Sequence, residues 1–216
     1  ANANPMLRLA LLFCLALAQA SPLAFKKCTA GQFTWPDAFT AHQTGTNSDG
    51  SFYANSTMAR SVSTQRSSQA FSTADMTISN LFLSSGGGAG KAYTVNATKG
   101  SPTTCTCSSV TGVNITAITP FNQIAWCFQM SDETIDGQTA HHFEIEEGAG
   151  LDYGHYKYFT SVATGAPLRE VDVSDKLTYE FNSFTPGEPA SSAFAVDSSC
   201  KDVKCTPGSF ISQPRH

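Results

Sequence analysis

The chain has 216 residues, 41% of them hydrophobic and 14% charged, with 13 Lys and Arg against 17 Asp and Glu. This length suits one domain, and the 24 threonines and 25 serines argue against a helical bundle, which is built from Ala, Glu, Lys and Leu. A formal net charge of −4 without a basic run leaves nothing to neutralise a phosphate backbone, so nucleic acid is excluded as a partner.

In chain order, the first feature is a short basic start, Met6-Leu7-Arg8, followed by the apolar run Leu9 to Ala18 and the small-residue pattern Ala18-Gln19-Ala20. This pattern predicts a secretory signal peptide within residues 1–20, with the mature chain starting at Ser21. The run is about half of the roughly 20 residues a bilayer-crossing helix needs, so no transmembrane segment is expected. The expected location is extracellular, or the endolysosomal lumen reached by the same route.

Cys14 leaves with the signal peptide, and Cys28, Cys105, Cys107, Cys127, Cys200 and Cys205 remain. Six cysteines in an oxidising compartment predict three disulfides. In a strand, Cys105 and Cys107 point to one side and are poorly placed to bond each other. The expected pairing ties the early Cys28 and the late Cys200 or Cys205 to the central group Cys105, Cys107 and Cys127. Secretion also gives meaning to three N-glycosylation sequons, at Asn55, Asn96 and Asn114.

Short alternating runs separated by Gly, Pro, Ser and Asn clusters predict a mainly antiparallel β meander, with few short helices. The candidate strands are 51–58, 61–67, 75–83, 91–96, 114–118, 124–129, 140–146, 156–163, 168–173 and 177–181. Ser84 to Gly90 reads as a flexible hairpin tip and Asp136-Gly137 as a turn. No domain-sized linker interrupts residues 21–206, which are read as one domain, and residues 207–216 as a loose tail.

Several strands carry large aromatics on one face. Tyr93 pairs with Val95, Tyr156 with Tyr158, and Leu177 with Tyr179 and Phe181. An ordinary core explains such faces, and so does a curved sheet enclosing an apolar pocket with Tyr hydroxyls and the Trp126 indole as its polar handles. The pocket or core candidates are Tyr93, Val95, Trp126, Phe128, Tyr158, Tyr179 and Phe181. His142, Glu144 and Glu146 share a strand face that could ligate zinc or help hold calcium, although such a row is more often a solvated face. No Gly-x-Ser-x-Gly elbow, His-Glu-x-x-His helix or phosphate-binding glycine loop occurs, so a non-enzymatic protein is expected.

The motifs carry a resemblance. Cys28 followed by Trp35-Pro36, the Phe52-Tyr53 strand with Arg60 and Arg66, and Gly90-Lys91-Ala92-Tyr93-Thr94-Val95 leading to Cys105-Thr106-Cys107 resemble the opening of ependymin-related proteins. The resemblance continues through the segments 158–162, 165–171 and 177–184 to Phe194-Ala195-Val196-Asp197-Ser198-Ser199-Cys200. Cys205, the high Ser and Thr content and the lack of a proline-rich segment before the central strands mark a divergent member.

The resemblance implies a secreted, disulfide-linked glycoprotein made of two curved antiparallel sheets stacked around an apolar pocket, like the lipoprotein-carrier fold. It also implies a lipid or other hydrophobic ligand, calcium, extracellular-matrix contacts and homodimer formation. The expected function is binding of a lipid in a β-cleft, with no cofactor required and calcium as an additional ligand. The alternatives are a matrix or adhesion scaffold and, third, a secreted hydrolase, which would need His142 or His155 paired with Asp, Ser or Glu in a cleft.

Overall fold

The computed structural model describes residues 26–28, 35–113, 124–147 and 154–208, with the backbone alone at 26–27, 124–126 and 146–147. The signal segment, the expected strand 114–118 with Asn114, and the side chains of Trp126 and Glu146 lie outside the described residues.

The chain is mainly β. Its N-terminal half comprises β1 (Lys26–Lys27), β2 (Ala38–Asn47), β3 (Phe52–Ser61), β4 (Arg66–Ser72), β5 (Met76–Gly86), β6 (Ala89–Thr98) and β7 (Thr104–Val110). The C-terminal half comprises β8 (Ile124–Gln129), β9 (Glu133–Ile135), β10 (Gln138–Glu147), β11 (Gly154–Ser161), β12 (Pro167–Asp172), β13 (Leu177–Pro186) and β14 (Thr206–Pro207).

Hydrogen bonding joins these strands into one sheet that does not close, in the order β1-β8-β10-β11-β12-β13-β2-β3-β4-β5-β6-β7-β14, with β9 attached to β10. Two meanders are therefore welded where β13 pairs antiparallel with β2. The strands are hydrogen-bonded as one continuous sheet rather than as two separate ones. β14 pairs in parallel with β7, and the Gly208 N–H donates to the Ser109 carbonyl at 3.0 Å.

The turns follow the local chemistry. Gly87 and Gly88, between β5 and β6, have φ of 59° and 77°, and Asp136 and Gly137, between β9 and β10, have φ of 47° and 80°. Positive φ at both central residues matches the right-handed twist of a hairpin. The strand expected at 61–67 is broken by a turn at 62–65, with Ser61 ending β3 and Arg66 and Ser67 opening β4. Thr64 Oγ1 donates to Ser61 Oγ at 2.7 Å and Gln65 N–H to the Val62 carbonyl at 3.1 Å. Such local bonds compete with the ladder, and β4 begins only at Arg66.

Register assigns side chains to two faces. One holds Phe39, Ala41 and Gln43 of β2, Ser56 and Arg60 of β3, Phe143 and Ile145 of β10, Tyr158 of β11 and Tyr179 of β13, all buried. Trp35 lies against it, and it is called here the Trp35 face. The opposite face is covered in its N-terminal half by the segment from Gly187 to Cys205, a strap. Phe194 of the strap is buried against Ala59 and Leu81, with Leu83 and Tyr93 packed around it, and the Arg66 guanidinium lies 5.5 Å from the Phe194 ring centroid.

Three disulfides hold the chain: Cys28–Cys127, Cys105–Cys200 and Cys107–Cys205. The early and late cysteines do pair with the central group. Because Cys105 and Cys107 alternate onto one face of β7, both reach the strap.

Candidate functional site

The Trp35 face carries the densest aromatic packing. Trp35 Nε1–H donates to the Tyr158 hydroxyl at 2.8 Å across 123 residues of chain. Its ring meets Phe39 edge-on at 4.8 Å, Phe184 at 5.7 Å and Phe181 at 6.0 Å between centroids. One indole thus bridges β2, β11 and β13. Tyr158 and Tyr179 are 1% exposed, and burial raises the pKa of both hydroxyls. Glu170 lies between them in register and its charge pushes both in the same direction. Both phenols stay neutral, and can donate hydrogen bonds, throughout the physiological range.

Beside this cluster, polar side chains are buried. Gln43 pairs in register with Phe181 on one side and with Ser56 on the other. Ser56 is followed on the same face by Met58, whose partner is Gln69. Gln43 and Ser56 are each 2% exposed and Gln69 is 7% exposed. Gln43 Oε1, Ser56 Oγ and Gln69 Oε1 have no hydrogen-bond partner among the described residues. A buried oxygen without a partner costs about 1–3 kcal/mol, and such groups ask for an explanation in a native fold.

The candidates expected from sequence divide between the faces. Tyr158, Tyr179 and Phe181 come together on the Trp35 face, where Phe181 and Tyr158 make an edge contact at 6.4 Å. Tyr93 belongs to the Phe194 cluster under the strap, and Val95 follows it by two residues on the same side of β6. Phe128 pairs with Glu144, on the side of β8 opposite Cys127, and Trp126 pairs with Glu146 in backbone register. Period-2 patterning groups residues within one strand, but it does not say which faces of different strands coincide. Trp35, Gln43, Ser56 and Gln69 were absent from the candidates. Trp35 precedes its strand, and the other three are polar residues that a search for apolar faces passes over.

The acidic and imidazole row lies on the opposite face of β10. His142 Nδ1 lies 2.7 Å from Glu133 Oε1, and its Nε2 lies 3.4 Å from Glu144 Oε1. His155 Nε2–H donates to Glu144 Oε2 at 2.6 Å, and Lys157 Nζ lies 3.4 Å from Glu144 Oε1. Burial alone would raise the Glu144 pKa, but the His155 hydrogen bond with the Lys157 and His142 charges outweighs it and holds the carboxyl below its ordinary value.

Among the described residues no group of three or more His, Cys, Asp or Glu side chains could hold a metal ion. The imidazole–carboxylate pairing that a hydrolase needs is present. No hydroxyl or thiol pairs with either imidazole among the described residues, and His142 has carboxylate oxygens 2.7 and 3.4 Å from its two nitrogens.

The two described sequons lie on opposite faces. Asn55 is exposed and accepts from Thr44 Oγ1 at 3.1 Å. Asn96 is half-buried and pairs with Ile78, in line with Phe71 and Ser56.

No protein-family model and no curated protein sequence matches this chain. Fold and bonding define a mainly β protein with three disulfides, built on one open sheet. No helix among the described residues is long and apolar enough to cross a membrane.

Proposed function

We propose that this chain is a secreted glycoprotein of the ependymin-related type that binds a lipid or similar apolar molecule on the Trp35 face. One observation carries the reading: the aromatic cluster around Trp35 adjoins three buried oxygens without partners at Gln43, Ser56 and Gln69. Apolar walls with a few convergent polar groups are the usual composition of a small-molecule site. The driving force is removal of the ligand chain from water, worth about 25 cal/mol per Å² of apolar surface. The signal peptide, the three sequons and the three disulfides support passage through an oxidising secretory route.

The test is titration of the chain, secreted from a eukaryotic host, with a fluorescent phospholipid, alongside native mass spectrometry that reads lipid, calcium, glycans and oligomeric state together. Saturable binding with one lipid per chain is expected. Trp35→Ala should abolish it while the circular dichroism spectrum and the disulfides persist. A protein that carries no lipid from the host and binds none in titration would overturn the reading.

A further inference from the structure

We infer that an N-glycan on Asn96 folds back onto its own sheet, its first sugars lying over Ile78 and Phe71. This inference rests on the secretory part of the reading above and not on the lipid. Asn96-Ala97-Thr98 is a sequon on β6. Its asparagine pairs with Ile78 of β5, and Ile78 pairs with Phe71 of β4, so the three side chains stand in one row on the Trp35 face. All three are half-buried, which leaves part of the Ile78 and Phe71 surface in water. The Tyr53 ring meets Phe71 edge-on at 5.8 Å between centroids and widens that apolar ground. Two strand spacings, about 10 Å, separate Asn96 from Phe71, within reach of the first sugars of a tethered glycan.

A pyranose ring is polar at its rim and apolar on its C–H faces. Laid over Ile78 and Phe71, it takes apolar surface out of water. Thr94, two residues back on the same face of β6, donates to Asn80 Oδ1 at 2.9 Å, and its oxygen can still accept from the sugar rim. The covalent link holds the sugar beside this ground, so docking is intramolecular and loses no translational freedom. Asn55 is the contrast. Its register neighbours are Thr44 and Ser72, and the Ser72 and Thr77 hydroxyls already bond each other at 3.0 Å. A glycan there meets hydroxyls rather than an apolar floor and extends into water.

Glycopeptide mapping of the full chain secreted from a eukaryotic host should find Asn96 occupied. Peptide-N-glycosidase should release this glycan from the folded chain at least about tenfold more slowly than after denaturation, because only the undocked fraction reacts. The Asn55 glycan should be released from the folded chain faster than the Asn96 glycan. Phe71→Ala leaves the sequon intact and should speed release at Asn96 towards the denatured rate. Thr98→Ala, at an exposed position, deletes the sequon and should lower the thermal midpoint by about 2–4 °C. Thr98→Ser, which keeps the sequon, should not.

Release at Asn96 as fast from the folded chain as from the denatured one overturns the inference. So does an unoccupied Asn96 beside an occupied Asn55, and either result leaves the secretory reading standing. Unchanged protection in a folded Phe71→Ala chain overturns it too. A chain kept inside the cell with every sequon empty overturns both. The wild-type rates need no variant, so misfolding of a substitution does not remove the test.

Discussion

The ring of Tyr179 lies against Gly45, its register partner on β2, so closely that a Cβ at Gly45 would fall 2.7 Å from Tyr179 Cε1. Only a residue without a side chain lets this ring settle onto the seam that joins the two meanders. Gly45→Ala should destabilise the fold by about 1–3 kcal/mol, the cost of overpacking a closed site. Denaturant unfolding reads it, and the same substitution in a Tyr179→Ala background should cost much less. Equal costs in the two backgrounds would show that the contact does not matter.

The Trp35–Tyr158 hydrogen bond fixes the residues before β2 onto β11. Tyr158→Phe keeps the ring and deletes the acceptor, so a loss of about 0.5–1.5 kcal/mol is expected, with a change in the indole emission of Trp35. Phe39→Leu, which removes the edge contact with Trp35 and the stacked contact with Phe184 and no hydrogen bond, should lower stability while leaving the hydrogen bond to Tyr158 in place.

Two carboxylates give opposite pH dependence. Glu144 is held below its ordinary 4.5, so the folded chain releases this proton more readily than the unfolded one. The stability it contributes is present above the unfolded value and is lost as pH falls through the folded value. Asp172 is raised above 3.8, burial being the chief cause, so its ionisation weakens the fold as pH rises through the window from 3.8 to that raised value. Glu144→Gln should flatten the acid limb of a stability–pH curve. Asp172→Asn keeps an oxygen for the Asp175 N–H, now bonded at 2.9 Å, and should stabilise the chain at neutral pH. Thermal midpoints between pH 3 and 8 check both signs.

The two strap disulfides are not independent. With Cys105–Cys200 closed, Cys107–Cys205 closes a ring of only roughly eight residues, whose loop entropy is worth about 2.5 kcal/mol. With both open, the first to form closes a loop of nearly a hundred residues, worth about 4.7 kcal/mol. Removing either pair by Cys→Ser should therefore cost about 2.5 kcal/mol, and removing both should cost about 7 kcal/mol rather than 5. Unfolding of the three variants measures this non-additivity.

Asn55 stands exposed on β3, in the open for a glycan. Protein secreted from a eukaryotic cell should carry one there, and Asn55→Gln should reduce the intact mass by one glycan.

Much of the C-terminal meander was legible in sequence. The expected 124–129 matches β8, and Leu177, Tyr179 and Phe181 share a face as their alternation implied. β2 was missed for a physical reason. Its buried positions are Phe39, Ala41, Gln43 and Gly45, and the last two are polar or lack a side chain, so no apolar alternation is visible. Of β4 only Arg66 and Ser67 fell within an expected strand, since Gln69 occupies its buried position. The residues that hid these strands are the ones that form the candidate site. Local rules tend to fail at such places.

The strands at the two ends of the sheet are two residues long, and each sits beside a cysteine. Cys28 follows β1 and Cys205 precedes β14. A long open sheet would otherwise present two rows of free N–H and C=O groups to any passing chain. Here β1 covers Phe128 and Gln129 of β8, β14 covers Ser108 and Ser109 of β7, and each short strand is pinned by the disulfide beside it. Reduction of both bonds would loosen the two covering strands at once, so these disulfides protect the ends of the sheet as well as the fold.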